Sequence, residues 1–416
     1  MTTPQAALSH LKVLDLSRVL AGPWCTQMLA DLGADVVKVE RPGAGDDTRH
    51  WGPPFLKDAD GVDTDQATYF TACNRNKRAI TLDMAKPEGQ ALILKMAAQS
   101  DVLVENFKVG GLKQYGLDYE SLKAANPRLI YCSVTGFGQD GPYAERAGYD
   151  LMIQAMSGLM SITGHADGEP GGGPMRMGVA LVDVLTGIYA CSAILAAIEA
   201  RHRTGEGQHI DMALLDVGMA VLANQAAGFL NTGKVPQRQG NTHPSLAPYQ
   251  TFETQDGTML LAIGNDGQFS RFCEAASHPD WAKDGRFASN TLRVKHREVL
   301  TPILQAVTRT RSTAQWIALL EDKAVPCGPI NDMAQAFADA QVQARQLVVK
   351  QTLKPGQTRA GAVESIATVA SPLRLMATPP VLRRPPPTLG EHTNEVLAEL
   401  GLDAEQLAGL RQRGVI

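Results

Sequence analysis

The chain has 416 residues, of which 44% are hydrophobic and 20% charged, and its formal net charge is −4. These values are typical of a globular protein with a large core and two or three domains, and they exclude the strongly basic surfaces that bind nucleic acid or anionic membranes. The six cysteines form no C-x-x-C pair, which favours reduced thiols over a disulfide framework or a zinc site. The first residues lack the pattern of a signal peptide, so a cytoplasmic location is expected.

The first 140 residues alternate between short apolar stretches and amphipathic ones. The pattern predicts strand 11–17, helix 24–34, strand 35–40, strand 78–84, a helix after 86–89, strand 101–107, a helix around 117–127 and strand 128–134. Apolar strands separated by helices indicate an α/β fold with a doubly wound, Rossmann-like parallel sheet. Such sheets bind ligands at the carboxyl ends of their strands. The first turn reads S-R-V-L-A-G-P, so the dinucleotide fingerprint G-x-G-x-x-G is absent.

The segment 178–198 is small and apolar, and Asp183 is its one charged residue. A central Asp costs about 2.5 to 3.5 kcal/mol in a membrane span, so the pattern favours a buried helix in a large core. The rest of the chain predicts a strand and a long helix (207–230), an extended Gly/Pro segment (231–248), a hairpin (249–265), four helices up to 345, a proline-rich crossing (377–393) and a terminal helical pair. The expected domains are a large domain at 1–230, a smaller α+β domain at 240–335, and residues 336–416, which return to the large domain.

Asp183 stands where the pattern requires a hydrocarbon, and burying an unpaired carboxylate is costly. Two structural interpretations are open: an N-cap that starts the helix, and a buried partner of a distant arginine. The functional interpretation is a nucleophilic carboxylate at a helix start, where the helix dipole helps to keep it ionised. Pattern alone does not decide between the three.

Five blocks together resemble the family III CoA-transferases, the group of the formyl-CoA and carnitine CoA-transferases. The likeness runs from residue 11 to the C-terminus, and the blocks are LSRVLAGPWCTQMLADLGADVVKVERPGAGDDTR (16–49), NRNKRAITLDMAKPEG (74–89), DVLVENFKVGGL (101–112), GYDLMIQAMSGLMSITG (148–164) and GVALVDVLTGIYACSAILAAI (178–198). The resemblance implies that Asp183 is the nucleophile of a CoA transfer between carboxylic acids. It implies no cofactor and no metal, because coenzyme A takes part as a substrate.

The resemblance also implies a set of CoA-binding residues at the ends of the predicted strands: Val19, Leu20, Ala21, Arg41, Leu82, Asn106 and Phe107. The first three are expected along the pantetheine, and Arg41 near the adenosine or its phosphates. Basic residues elsewhere are further candidates for phosphate contact: Arg75, Lys77, Arg78 and Arg146. Formyl-CoA transferase has lysines near this chain's Ala85 and Ala147, so the phosphate contacts stay open.

Three later segments are similar to the succinate–hydroxymethylglutarate CoA-transferase branch: GNTHPSLAPYQTF (240–252), VPCGPIND (325–332) and RRPPPTLGEHT (383–393). That branch implies succinyl-CoA as donor and a short dicarboxylic acid as acceptor. A buried distal carboxylate needs cationic or hydroxyl partners, and the candidates are Arg18, Arg176, His243, Ser245 and Tyr249. Gly264 and Asn265 lie where the family has a glycine-rich loop over the acyl group, and the alternative for them is an ordinary hairpin exit.

Two other functions are weighed against acyl transfer. The α-methylacyl-CoA racemases of the same superfamily use a histidine in a G-H-D block, where this chain has Gly148-Tyr149-Asp150. A tyrosine, with an ordinary pKa of about 10, is a poor proton shuttle near pH 7, so Tyr149 is assigned to the substrate site. An inactive CoA-binding protein would have lost Asp183, which this chain keeps.

The expected partners are an acyl-CoA, a small carboxylic acid and a second copy of the chain, with no nucleic acid and no membrane. The resemblance implies ring-shaped subunits in an interlocked homodimer. The two extended segments, 231–248 and 377–393, supply the connections that such a ring needs.

Overall fold

The computed structural model describes residues 6–58, 60–353 and 365–416. The strands of these ranges are β1 (Lys12–Asp15), β2 (Asp35–Glu40), β3 (Phe55–Lys57), β4 (Asp63–Ala67), β5 (Arg78–Thr81), β6 (Val102–Glu105), β7 (Ile130–Thr135), β8 (His209–Ala213), β9 (Tyr249–Glu253), β10 (Thr258–Ala262), β11 (Cys327–Pro329), β12 (Val348–Thr352) and β13 (Ser365–Val369).

The α-helices of the same ranges are α1 (Ala21–Asp31), α2 (Thr68–Thr71), α3 (Pro87–Ala97), α4 (Tyr119–Ala125), α5 (Asp150–Met156), α6 (Leu159–Ile162), α7 (Leu181–Thr204), α8 (Leu214–Ala220), α9 (Ala223–Thr232), α10 (Asp266–Ala275), α11 (Asn290–Lys295), α12 (Arg297–Thr308), α13 (Thr313–Asp322), α14 (Met333–Ala338), α15 (Ala340–Ala344), α16 (Thr393–Glu399) and α17 (Ala404–Gln412). Short 3₁₀ helices lie at Asp47–Arg49, Lys113–Tyr115 and Pro279–Lys283.

The chain divides into two compact units. The larger comprises Met1–Leu159, Met177–Ala227 and Gln343–Ile416, and the smaller comprises Met160–Arg176 and Gly228–Val342. Residues 160–176 therefore belong to the smaller unit, although the sequence analysis assigned them to the large domain. Neither hydrophobic periodicity nor a change in composition distinguishes this short segment from its surroundings, which explains the difference.

A six-stranded sheet in the order β5-β2-β1-β6-β7-β8 organises the larger unit, and every neighbouring pair is parallel. Strand β1 reads K-V-L-D and β6 reads V-L-V-E, and nearly all of their side chains are buried. One face is covered by a core that includes Cys25, Leu29 and Ile194, and the other by a core that includes Ile93 and Leu397. The prediction of a doubly wound α/β sheet is therefore confirmed, because both faces of a parallel sheet must be covered.

Helix α7 lies against α1 on the first of these faces. Gly187 permits the close approach, since a Cβ there would stand 2.7 Å from the carbonyl oxygen of Ala21 and 2.9 Å from Cβ of Trp24. Within the described part of the chain, α7 is the one helix with the length and hydropathy of a membrane span. Its buried Arg201, paired with Asp101 at 2.9 Å, and its packing on α1 indicate a core helix, as the sequence predicts.

The smaller unit contains the hairpin β9–β10, with β11 as a third antiparallel strand, and helices α10 to α14. Its core is built from aromatic residues, among them Phe252, Phe269 and Trp316. Along β10, the buried Met259 and Leu261 alternate with half-buried positions, which is the pattern of a sheet with one buried face.

Several elements differ from the sequence prediction. The long helix expected up to residue 230 is two helices, α8 and α9, because Ala223, the first residue of α9, has φ +44° and interrupts the helix. The hairpins β3–β4 and β12–β13 were not predicted, since their strands carry polar residues on both faces. Helix α1 begins three residues earlier than predicted, at Ala21, which brings the first turn of the helix up to Val19 and Leu20.

Candidate active site

The carboxyl ends of β1, β2, β5 and β6 bring together the residues that the resemblance assigned to CoA. Val19 and Leu20 follow β1, Arg41 follows β2, and Leu82 follows β5; Asn106 and Phe107 follow β6. Because these four strands are parallel neighbours, their ends lie at one edge of the sheet. The contact of these residues with CoA stays a prediction.

Asn106 has a different environment from the one predicted for a ligand-binding side chain. Its Nδ2 donates to the carbonyl oxygen of Arg18 at 2.7 Å, and its Oδ1 accepts from the N–H of Arg18 at 2.9 Å. The amide group is thus occupied by the backbone that follows β1. Arg41, in contrast, is exposed, and no ion pair engages it within the described residues.

Asp183 is the third residue of α7 and is half-buried. The N-cap of this helix is Ala180, so the N-cap interpretation of Asp183 is wrong. Among the described residues no arginine or lysine pairs with Asp183, so the ion-pair interpretation is wrong as well. The nucleophile interpretation remains, because it needs a carboxylate with free oxygens.

The environment of Asp183 favours its protonated form. Burial, together with the neighbouring Asp150 carboxylate, raises the pKa of Asp183 to about 7. The expectation that the helix start keeps this carboxylate ionised is therefore wrong in direction. Burial outweighs the helix dipole, and Asp150 adds a second negative charge at the same helix end.

Asp150 is a site residue whose role the sequence did not reveal. Its Oδ1 accepts from the N–H of Val182 at 2.8 Å and from that of Asp183 at 3.1 Å, and thereby caps the start of α7. Its Oδ2 accepts from Nε2 of Gln154 at 2.5 Å. Asp150 thus fixes the backbone that carries Asp183. The G-Y-D block is the only signal in the sequence that points to it.

Tyr69 is a second residue that the sequence analysis missed. Burial and the carboxylate of Asp183 raise the pKa of Tyr69 to about 12, so the phenol keeps its proton and can donate a hydrogen bond. Its ring makes an edge contact with Trp51, with the ring centroids 5.6 Å apart. Tyr69 lies on the four-residue helix α2, which no periodicity marks.

Three cations that were candidates for phosphate contact are structural instead. Arg75 pairs with Asp31 at 2.5 Å, Lys77 with Asp15 at 3.0 Å, and Arg78 with Asp35 at 2.5 Å. All three are buried. Carboxylates and other oxygens of the fold engage their donors, so none of the three is an accessible cation for a phosphate.

Other basic residues near the strand ends are accessible. Arg146, in the loop after β7, is exposed, and its guanidinium lies 4.5 Å from the ring centroid of Tyr143. Lys108 and Lys113 line a cavity of about 190 Å³ beside the end of β6. The two lysines follow Asn106 and Phe107 in the block NFKVGGLK, and they replace the buried cations as phosphate candidates.

In the smaller unit, three of the predicted substrate residues are neighbours. Nδ1 of His243 accepts from the N–H of Ser245 at 3.0 Å, and the rings of His243 and Tyr249 lie 5.1 Å apart. Because Nδ1 is an acceptor, the neutral ring carries its proton on Nε2, which is then a donor. Tyr149, in the larger unit, is 66% exposed, and Arg176 is exposed as well.

Arg297 stabilises the loop that carries His243, a role that nothing in the sequence indicates. Its guanidinium donates to the carbonyl oxygens of His243 (2.7 Å) and Leu246 (3.0 Å) and to Oε1 of Gln239 (3.1 Å). No carboxylate among the described residues pairs with it, and its Nε is buried without a partner. The loop therefore carries a positive charge that no acid in the described chain neutralises.

Gly264 and Asn265 form a capped helix start. The N–H of Gly264 donates to Oε1 of Gln268 at 2.7 Å, and Oδ1 of Asn265 accepts from the N–H of Gln268 at 2.9 Å at the N-cap of α10. This geometry is compatible with an ordinary hairpin exit, because the N–H of Gly264 is occupied by Gln268. The contact of this loop with the acyl group stays a prediction.

Within the described ranges, no group of three or more His, Cys, Asp or Glu residues has the arrangement of a metal site. The site consists of a half-buried carboxylate with a raised pKa, a phenol donor and a row of strand ends in a doubly wound sheet. These features are typical of a ligand-binding site in an α/β protein, with Asp183 as a candidate reactive carboxylate.

Comparison with known proteins identifies the family. Residues 8–393 match the sequence profile of CoA-transferase family III. The chain is 51% identical over 400 residues to the succinate–glutarate CoA-transferase of Agrobacterium fabrum, a match that covers 96% of this chain and 97% of that protein. It is 42% identical over 410 residues to the succinyl-CoA:glutarate CoA-transferase of Homo sapiens, covering 98% and 90% of the two chains.

A solved structure agrees with these matches. The CAIB/BAIF family protein from Brucella suis superposes with a TM-score of 0.82 at 49% identity, covering 95% of this chain and all of that one. The chain belongs to CoA-transferase family III, and it is a CoA-transferase.

Proposed function

We propose that this enzyme moves CoA from succinyl-CoA to a short dicarboxylic acid, with Asp183 as the nucleophile. Asp183 carries the proposal: it is a half-buried carboxylate with no cationic partner in the described chain, at the place where the family has its nucleophile. The names of the relatives support the substrates, since those of Agrobacterium fabrum and Homo sapiens join succinate or succinyl-CoA to glutarate.

The chemistry proceeds through two kinds of acyl intermediate. A carboxylate oxygen of Asp183 attacks the thioester carbonyl of succinyl-CoA, which forms a mixed anhydride and releases the CoA thiolate. The thiolate attacks the aspartyl carbonyl, succinate leaves, and an aspartyl-CoA thioester remains. The acceptor carboxylate reverses these two steps and departs as its CoA thioester. One thioester replaces another, so no ATP is required.

A pKa of about 7 suits a carboxylate nucleophile. A carboxylate that binds its proton more tightly is also more reactive toward carbonyl carbon, and at slightly alkaline pH most of it is ionised. Tyr69 supports this role, because its protonated phenol lies in the field of the Asp183 carboxylate and can donate to an oxyanion that forms beside it.

The pH dependence of turnover tests this electrostatic account. We expect kcat/KM to fall below a midpoint near pH 7 as Asp183 becomes protonated. In Asp150→Asn the oxygen that caps α7 is kept and the negative charge is lost, so the midpoint should move down by about half to one pH unit. The control is Glu88→Gln on α3, which should titrate as wild type with the same substrates. An unchanged midpoint in Asp150→Asn would show that burial alone raises the pKa of Asp183 and that Asp150 does not contribute.

The distal carboxylate of the acid is assigned to the loop that carries His243, Ser245 and Tyr249. His243 offers an Nε2–H donor held by Ser245, and Arg297 adds a positive charge beneath the loop. Charge-assisted hydrogen bonds of this kind contribute about 1.5 to 3 kcal/mol each. A panel of mono- and dicarboxylic acids, incubated with succinyl-CoA and read as new thioesters by mass spectrometry, identifies the acceptor.

We infer further that two copies of the chain form an interlocked, cytoplasmic homodimer. Helix α7 exposes an apolar face in the single chain, with Ile188, Tyr189 and Leu195 between 36% and 46% exposed. Residues 233–248 and 370–392, which cover most of both predicted crossings, contain no helix or strand. A face of this kind in a soluble enzyme is typical of an interface.

The assembly is tested by sedimentation equilibrium at micromolar concentration. We expect twice the chain mass, and no exchange of subunits between labelled and unlabelled enzyme over hours, because interlocked rings separate only after unfolding. A stable monomer would contradict the homodimer. A dimer that exchanges subunits within minutes would contradict the interlocking alone.

A further inference from the structure

The backbone of the turn Ser17–Val19, between β1 and α1, is held by side chains, most of them from other parts of the larger unit. Val19 has φ +71°, a conformation that β-branched residues rarely adopt. No backbone hydrogen bond within the turn accounts for this conformation. Each N–H and C=O group of Arg18 has a side-chain partner, and so do the C=O of Ser17 and the N–H of Val19.

Asn106 provides the first part of this arrangement. The last backbone bond between β1 and β6 is from the N–H of Leu16 to the carbonyl oxygen of Val104, at 2.8 Å. Beyond this bond the two strands end. The side-chain amide of Asn106 then forms two hydrogen bonds with the backbone of Arg18. The amide copies the donor and acceptor of a peptide group and so extends the pairing by one residue.

Asp46 and Lys38 provide the second part. Both carboxylate oxygens of Asp46 accept from the N–H of Val19, at 3.2 and 3.3 Å. Asp46 pairs with Nζ of Lys38 at 2.9 Å, and Nζ also donates to the carbonyl oxygen of Ser17 at 2.7 Å. Asp46 and Lys38 are buried, and a buried ion pair of this kind fixes geometry more than it adds stability.

We propose that Asn106 and Asp46 are positioning residues that hold the turn Ser17–Val19 in its CoA-binding conformation before CoA arrives. The inference rests on the proposed contact of Val19, Leu20 and Ala21 with the pantetheine. It assigns Asn106 a role through the backbone of Arg18, not a side-chain contact with CoA. A turn that is ordered in advance spares the ligand the entropic cost of ordering it.

The variant Asn106→Ala tests the proposal against a matched control, Asn126→Ala. Asn126 also bonds to the backbone through its side chain, since its Nδ2 donates to the carbonyl oxygens of Ala97 (3.1 Å) and Ser100 (2.9 Å). It precedes β7, however, and therefore lies at the amino ends of the strands. Calorimetry with CoA should give a Kd that is raised about 10-fold or more in Asn106→Ala and less than about 2-fold in Asn126→Ala. At saturating succinyl-CoA, kcat and the KM for the acceptor acid should stay within about 3-fold of wild type in both.

Hydrogen exchange provides the readout that distinguishes positioning from a general loss of stability. The amides of Arg18 and Val19 should exchange faster in Asn106→Ala and at the wild-type rate in Asn126→Ala, with comparable losses in Tm. If Asn106→Ala does not fold, Asn106→Asp keeps the acceptor for Arg18 N–H and loses the donor, and the same increase in Kd is expected. An unchanged Kd and unchanged exchange would overturn the inference, whereas wild-type enzyme that binds no CoA would overturn the proposed site.

Discussion

Replacing Asp183 by Asn is expected to lower kcat for CoA exchange by about 10⁴-fold or more, because the amide cannot form the anhydride and removal of a covalent nucleophile has effects of this size. The Kd for CoA should change less than about 3-fold, since the substitution alters none of the proposed CoA-binding residues at the carboxyl ends of the strands. The matched control is Asp216→Asn, an exposed acid in the first turn of α8, which should turn over as wild type. Residual activity above about 1% in Asp183→Asn would contradict the assignment.

The same variant should be more stable than wild type at alkaline pH. The folded-state pKa of Asp183 is raised from 3.8 to about 7, so the folded protein holds this proton more tightly than the unfolded chain does. Its contribution therefore falls as the pH rises from about 4 to 7, and above pH 7 the ionised carboxylate destabilises the fold. We expect the Tm of Asp183→Asn to exceed that of wild type by about 2 °C or more at pH 8, and by less at pH 5. If Asp183→Asn had a lower Tm than wild type at pH 8, the ionised Asp183 carboxylate would not destabilise the folded state.

The second large effect concerns the choice of acid. Thioester exchange between similar acids is close to isoenergetic, so selectivity must come from the far end of the acyl chain. Wild-type enzyme should prefer glutarate over butyrate by about 10²- to 10³-fold in kcat/KM, the value of one or two charge-assisted hydrogen bonds. His243→Ala should raise the KM for glutarate about 10-fold or more and leave that for butyrate nearly unchanged.

The control for this prediction is His278→Ala, a histidine of the same unit that stacks on Trp281 with ring centroids 4.2 Å apart. It should lower stability without changing the ratio of glutarate to butyrate. Arg297→Met should act in the same direction as His243→Ala, because it removes the charge that holds the loop. If wild-type enzyme used butyrate as readily as glutarate, the proposed pocket for the distal carboxylate would be contradicted. The CoA-transferase activity would be unaffected by that result.

The sheet was predictable because its signals are local. Strand β2 was predicted at its observed residues, and the edge that collects Val19, Arg41, Leu82 and Asn106 follows from the alternation of strands and helices. What the sequence did not reveal depends on partners far along the chain. Arg75 resembled a phosphate ligand, but it neutralises Asp31, 44 positions away. The amide of Asn106 likewise meets Arg18 across 88 positions.

Asp183 shows both sides of this limit. Its position in an apolar segment singled it out, and the excluded cap and ion pair leave the nucleophile as the surviving interpretation. The size of its pKa shift was not predictable, because Asp150, 33 positions away, adds to the effect of burial and caps the same helix. A helix start by itself suggests a lowered pKa, and burial together with the second carboxylate reverses that expectation.

The central claim is covalent transfer through Asp183, and chemical trapping tests it most directly. Wild-type enzyme is incubated with succinyl-CoA and no acceptor, quenched with hydroxylamine, digested, and the peptide that contains Asp183 is sequenced by mass spectrometry. We expect a hydroxamate on Asp183 that requires succinyl-CoA and is absent from Asp183→Asn. A hydroxamate on another carboxylate, such as Asp150, or none under conditions where exchange is active, would contradict it.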